Sequence, residues 1–118
     1  MNKRVNKIND GGVVKSRAEI TPILKNAGDV VLIYRGVPRS LIMLCPCGCG
    51  EELTVNLDKR TSKAWRIYRS NNKLTIYPSV WRETGCRSHF IIWNDKIFWC
   101  DYESLLDSSP RRVDLETK

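Results

Sequence analysis

Three cysteines at alternate positions, Cys45, Cys47 and Cys49, lie within LCPCGCG (44–50), and nothing else in the 118-residue chain restricts its fold as strongly. Extended backbone would aim all three sulfurs the same way, so a turn at Gly48 has to redirect at least one. Glycine permits that turn because it tolerates backbone angles that a Cβ blocks, and Pro46 stiffens the approach to it. About forty residues later comes Cys86-Arg87-Ser88-His89, a C-x-x-H that holds the one histidine of the chain. Small metal domains usually take four ligands from two such turns. Here Cys45, Cys47, Cys49, Cys86 and His89 are five candidates for four places. Cys49, Cys86 and His89 are the first choices, and Cys45 and Cys47 compete for the fourth. The expected cofactor is one structural Zn²⁺; ordinary buried thiols in a glycine turn are the alternative. Cys100, inside an apolar strand, reads as a buried thiol.

The start, MNKRVNKINDGG, is basic but has no apolar stretch behind it, and no apolar run reaches membrane-spanning length. A cytoplasmic protein without a membrane partner is expected. Its thiols would stay reduced, which favours metal ligation over disulfides. The length suits one domain. We read residues 1–19 as a mobile basic arm, 20–108 as a single zinc-binding β domain and 109–118 as a charged tail.

From Asp29 onward the texture is β. VVLIYR (30–35) and SLIMLC (40–45) flank a turn, and ELTVNL (52–57) alternates with Leu53, Val55 and Leu57 on one face. AWRIYR and KLTIYPSV flank Ser70-Asn71-Asn72, where asparagine suits a tight hairpin. Trp65, Ile67, Leu74 and Ile76 should point inward, with Arg66, Tyr68, Thr75 and Tyr77 outward. SHFIIW and KIFWC form a last hairpin that is apolar on both faces, for which core burial is expected and an interface is the alternative. The fold class is mainly β: a small zinc-stabilised antiparallel sheet or sandwich of about seven short strands, with short terminal helices and flexible tails. Thr21-Pro22 is placed to open one helix that Gly28 ends, and DYESLLDSS (101–109) the other.

The net charge is +7, and its excess is uneven: residues 1–40 carry eight Lys/Arg against three acids, the remainder twelve against ten. An acidic partner is favoured, protein or nucleic acid. Between Lys59 and Lys73 there is no acid, and Lys63, Arg66, Tyr68, Arg69 and Lys73 are the candidates for nucleic-acid contact, with phosphates on the cations and bases on the aromatic ring. A solvated hairpin face is the plainer reading. For a protein partner, Trp93, Phe98 and Trp99 are the candidate contacts. No phosphate-binding glycine loop, nucleophile elbow or zinc-deaminase pattern is present. Cys86 and His89 are considered as a nucleophile–base pair, but no carboxylate to orient the imidazole is evident. No catalytic residue is assigned, and an enzyme, as a zinc hydrolase, ranks third behind interaction modules.

Gly28, LCPCGCG, the strand around Trp65, LTIYPSV (74–80) and CRSHFIIWNDKIFW (86–99) together resemble a family of small bacterial and phage proteins of unassigned activity. The resemblance spans Gly28 to Trp99. It implies a zinc-binding β domain with Cys45, Cys47, Cys49, Cys86 and His89 as the metal motif. Some members are encoded beside bacterial ubiquitin-like conjugation genes. That association implies an accessory or adaptor protein whose partners are ubiquitin-like pathway components, with a link to phage–host defence.

Overall fold

In the computed structural model, residues 4–61, 63–82 and 85–100 are described. The strands are β1 (Asn9–Val14), β2 (Asp29–Tyr34), β3 (Pro38–Leu44), β4 (Glu52–Asn56), β5 (Arg66–Ser70), β6 (Lys73–Trp81), β7 (His89–Trp93) and β8 (Lys96–Trp99). They form two four-stranded sheets, β1-β2-β3-β4 and β5-β6-β7-β8. The mainly β class holds, with eight strands among the described residues rather than about seven. The two tight hairpins form as expected: Asn71 and Asn72, and Asn94 and Asp95, all have positive φ, which suits the right-handed twist of the flanking strands.

The additional strand is β1, inside the stretch expected to be an arm. It pairs with β2 in parallel, so the first sheet is mixed rather than purely antiparallel. Gly11 is required there, because a Cβ would run into the Ile23 side chain and come within 2.8 Å of the Val30 carbonyl oxygen. Buried Asp29 fixes the start of β2 by accepting bonds from the Lys25 and Asn26 backbone and from Asn9 Nδ2 at 2.9, 2.7 and 2.9 Å. Burial alone would raise this carboxyl, but the bonds from Asn26, Asn9 and Lys25 hold it below the usual range. Upstream, Ile8 N–H bonds Asp95 O and Ile97 N–H bonds Asn6 O, both at 2.8 Å, which stitches the chain start to β8 before it crosses to the other sheet.

Strand alternation sorts the core. Val30, Leu32, Leu41, Met43, Leu53 and Val55 from the first sheet pack with Leu74, Ile76, Val80, Phe90, Ile92 and Ile97 from the second. The opposite face of the first sheet (Val14, Val31, Ile33, Ile42) is covered by Ile20 and Leu24. That covering segment holds a short 3-10 helix at Arg17–Glu19 instead of the helix expected from Thr21. Glu19 draws the turn in by accepting the N–H groups of Lys15 and Ser16, each at 3.2 Å. The last hairpin divides by face: Phe90, Ile92 and Ile97 are buried, whereas Trp93 and Phe98 are 59% and 49% exposed. Full core burial of that hairpin is therefore corrected. Cys100 is half-buried rather than buried. The expected terminal helix (101–109) and tail (109–118) lie outside the described residues.

Candidate active site and metal centre

At the end of β3 the chain doubles back on itself. Cys45 N–H bonds Glu51 O at 2.8 Å and Gly48 N–H bonds Cys45 O at 3.1 Å, with Gly48 and Gly50 at φ +92° and +87°. These are the left-handed angles that favour glycine. The fold brings Cys86, between β6 and β7, to the same place. The sulfurs of Cys45, Cys47, Cys49 and Cys86 all lie within 4.8 Å of one another. Cys45 Sγ is 3.5 Å from Cys47 Sγ and 3.6 Å from Cys86 Sγ. A tetrahedral four-thiolate zinc site with bonds of about 2.3 Å sets its sulfurs about 3.8 Å apart. The donor set and its spacing fit such an ion.

Supporting groups surround the sulfurs. Ser88 Oγ lies 3.1 Å from Cys86 Sγ, and Cys45 Sγ donates toward Ser88 Oγ at 3.7 Å. Arg82 Nη1 donates to Cys86 Sγ at 3.3 Å while its Nη2 meets Glu51 at 2.6 Å, tying the two turns together. Burial pushes the thiols of Cys45 and Cys49 up. Burial opposes ionisation of Cys86 too, yet the Ser88 hydroxyl and backbone, followed by Cys45 and Cys47, bring it down to about 6. Four thiols in one small volume do not all ionise unless a cation compensates them, so the cluster is poised to exchange protons for a metal.

His89, a first choice among the expected ligands, is outside that group of sulfurs. Ser88 and His89 are adjacent in an extended chain, so their side chains point to opposite sides; Ser88 takes the side of the sulfurs. On the other side His89 Nε2 lies 2.9 Å from Ser79 Oγ. The imidazole stacks on its cross-strand partner Trp81, with centroids 4.9 Å apart and planes at 17°. Ser79, two residues before Trp81, is the diagonal neighbour of His89 across the β6–β7 pair. Its place falls in the irregular stretch between Ile76 and Val80, where the register of that pair shifts. Such bulges re-aim side chains and are frequent beside active sites. Trp65 Nε1 donates to Ser79 O at 3.0 Å, fixing the serine backbone.

A serine hydroxyl within hydrogen-bond reach of an imidazole is the arrangement of an activated nucleophile and its base. Sequence reasoning missed Ser79 because it assigned His89 to the metal and weighed only Cys86 as its nucleophile. No local motif marks the pair. The available signal was the pairing of the two arms, KLTIYPSV and SHFIIW, which sets residue 79 near the lone histidine.

The other candidates are placed separately. Arg66 pairs across the hairpin with Tyr77, and Tyr68 with Thr75; Arg66, Tyr68, Arg69 and Lys73 are exposed, as is Lys63 before β5. Arg69 is engaged by Asp10 at 2.9 Å. Trp93 and Phe98 line a shallow cavity of about 290 Å³ with Asn94 and Lys96. Trp99 is not part of it: its ring packs on Phe90 with centroids 5.4 Å apart, and its Nε1 bonds Val5 O at 3.2 Å. Among the described residues no helix is long and apolar enough to cross a membrane.

Residues 17–100 match the family model described as bacterial ubiquitination-like system serine protease (BubE). No curated protein and no solved structure matches the chain.

Proposed function

The chain belongs to the BubE family of bacterial ubiquitination-like system serine proteases, and from that premise we propose that it is a peptidase with Ser79 as nucleophile and His89 as general base. The observation that carries this reading is the 2.9 Å separation of Ser79 Oγ and His89 Nε2. In this role His89 holds a proton on Nδ1 and accepts the Ser79 hydroxyl proton at Nε2 as Oγ attacks the scissile carbonyl carbon. The C–N bond then breaks, and His89 returns the proton to the leaving amine. Water, deprotonated by the same nitrogen, attacks the Ser79 ester, and His89 returns that proton to Ser79 Oγ as the acid is released. Trp81 supports the imidazole by stacking, and Trp65 supports the serine through its carbonyl. The substrates are proteins of a ubiquitin-like conjugation system.

The four thiolates would hold one zinc ion, which supplies a closed structural cross-link between the two turns. A four-sulfur donor set leaves no coordination position for substrate, which separates this reading from a zinc hydrolase. The expectation of a non-catalytic adaptor came from the resemblance and from the absence of enzyme motifs; the family description and the contact between Ser79 and His89 support a catalytic role in its place. Exposed Trp93 and Phe98 support protein docking beside the catalytic role. Support for nucleic-acid binding is narrower, because Arg69 is already paired with Asp10.

The test is labelling with a fluorophosphonate probe followed by peptide mapping. Modification at Ser79, absent from His89→Gln, is the expected result. Labelling elsewhere, or cleavage of a ubiquitin-like fusion by Ser79→Ala at the wild-type rate, overturns the assignment.

A further inference from the structure

The outer edge of β4 has no strand partner among the described residues, and Trp65 links it to Ser79. β4 is the end strand of its sheet. Cys45 N–H bonds Glu51 O and Leu57 N–H bonds Arg39 O, and Leu41 and Met43 lie opposite Val55 and Leu53. Odd-numbered positions from 51 to 57 therefore bond inward to β3. Since strand geometry repeats every two residues, the N–H and C=O groups of Glu52, Thr54 and Asn56 point outward. The outward direction is visible at Asn56, whose carbonyl accepts Trp65 N–H at 2.9 Å. Among the described residues no backbone group bonds the outward N–H and C=O of Glu52 or Thr54, and both residues are exposed.

Trp65 bridges the two sheets here, bonding Asn56 O through its backbone and Ser79 O through its indole. Ahead of it a groove of about 260 Å³ opens, lined by Glu52–Val55 on one side and Val80–Arg82 on the other. One wall is thus an open strand edge, and the other is the stretch that follows Ser79. Past Trp65 the surface continues into a second hollow of about 390 Å³, where Lys59, Lys63 and Arg66 contribute charge and, among the described residues, no acid is in the lining.

We propose that the substrate enters as an extended segment, adding a short strand between the outer edge of β4 and Ser79–Trp81 of β6, with acidic residues on the flank that passes Trp65. This deepens the peptidase reading and rests on it. Glu52 and Thr54 each offer one donor and one acceptor, so up to four main-chain bonds would hold the segment. Main-chain bonding makes the site tolerant of sequence along those residues, and the cations beside Trp65 set the preference for the acidic flank. A folded surface cannot enter; an unstructured tail or linker can.

The experiment digests a proteome-derived peptide library with the full chain and measures fluorophosphonate labelling in parallel. Cleavage sites should show Asp/Glu enriched at least threefold on one flank. One cleaved peptide is then resynthesised with single N-methyl groups. Methylation should lower kcat/KM at least tenfold at alternate positions and within threefold between them. Thr54→Pro removes an outward N–H that no described backbone group uses, together with the hydroxyl that accepts from Arg17 Nη2 at 2.9 Å, and proline is accepted on edge strands. It should lower the ratio of peptide cleavage to labelling at least tenfold. Labelling of Ser79 without cleavage of any peptide, or uniform tolerance of N-methylation, overturns the docking mode and leaves the nucleophile standing. Failure of Ser79 to label overturns the peptidase reading itself.

Discussion

Ser88 and His89, neighbours at the start of β7, serve opposite sides of the strand: Ser88 Oγ is 3.1 Å from Cys86 Sγ, and His89 Nε2 is 2.9 Å from Ser79 Oγ. The thiol cluster therefore reaches the histidine through a single peptide bond. A metal that fixes Cys86 fixes where β7 begins and so where the imidazole sits. The cluster and the Ser–His pair form one mechanical unit with two chemistries.

The clearest separation of those chemistries is His89→Gln. This variant should retain about one equivalent of zinc, because the four ligands are cysteines, while kcat falls by about 10⁶, the cost of removing the base from a serine–histidine unit. Ser79→Ala should fall as far, and the double variant little further. In the wild type, kcat/KM should decline toward acid pH as His89 protonates and can no longer accept the serine proton. Zinc content by mass spectrometry beside peptide hydrolysis from pH 5 to 9 checks both statements. Loss of zinc from His89→Gln would return the histidine to the ligand set.

Metal removal should act on stability first. Cys45→Ser and Cys86→Ser each delete a ligand and should drop bound zinc well below half an equivalent, whereas Cys100→Ser, far from the sulfurs in role, keeps it. A strong chelator should lower Tm by at least about 10 °C, since metal binding free energy is also folding free energy. In the metal-free protein, alkylation at neutral pH should reach Cys86, whose thiol is held down at about 6, before Cys45, whose thiol burial holds up. Differential scanning fluorimetry and mass mapping of alkylated cysteines read out these effects.

The strands that could be read from sequence are those that alternate or carry β-branched runs, from β2 to β8. β1 could not, because Asn9-Asp10-Gly11-Gly12 has poor strand propensity and is held by Asp29 and by close backbone approach at Gly11. The metal turn announced itself because three cysteines with glycines have few other uses. The contact between Ser79 and His89 did not, since the two meet only once β6 and β7 are in register. Exposure of Trp93 and Phe98 was equally hidden: composition shows an apolar hairpin on both faces, but only packing shows which face lacks a second layer.

Asp58 gives an acid-side prediction. It is 6% exposed, with Arg60 Nε at 2.9 Å and Arg39 at 3.8 Å. The Arg60 side chain first, against the opposing effect of burial, brings its carboxyl down to about 2. A folded value below the unfolded one means that the ionised form favours folding. Its stabilisation is complete above the unfolded carboxylate range near pH 4 and is lost as pH falls through about 2. Asp58→Asn should therefore be less stable at pH 6 and should show a flatter loss between pH 4 and 2. Urea midpoints at pH 6, 4, 3 and 2 test this; parallel curves for the two proteins would refute it.

Trp65→Phe isolates how the two sheets are aligned at the nucleophile. Phenylalanine keeps the backbone bond to Asn56 and most of the ring packing, and it removes only the indole N–H that holds Ser79 O at 3.0 Å. Leaving a buried carbonyl without that donor should cost about 1–2 kcal/mol of stability. The larger effect should be on the chemical step, because a small displacement of the serine misaligns Oγ from the imidazole. The expected result is a fall in kcat of about tenfold with KM changed less than twofold, and no loss of zinc. A variant whose KM alone rises would show instead that Trp65 acts as a groove wall and not as an anchor for Ser79.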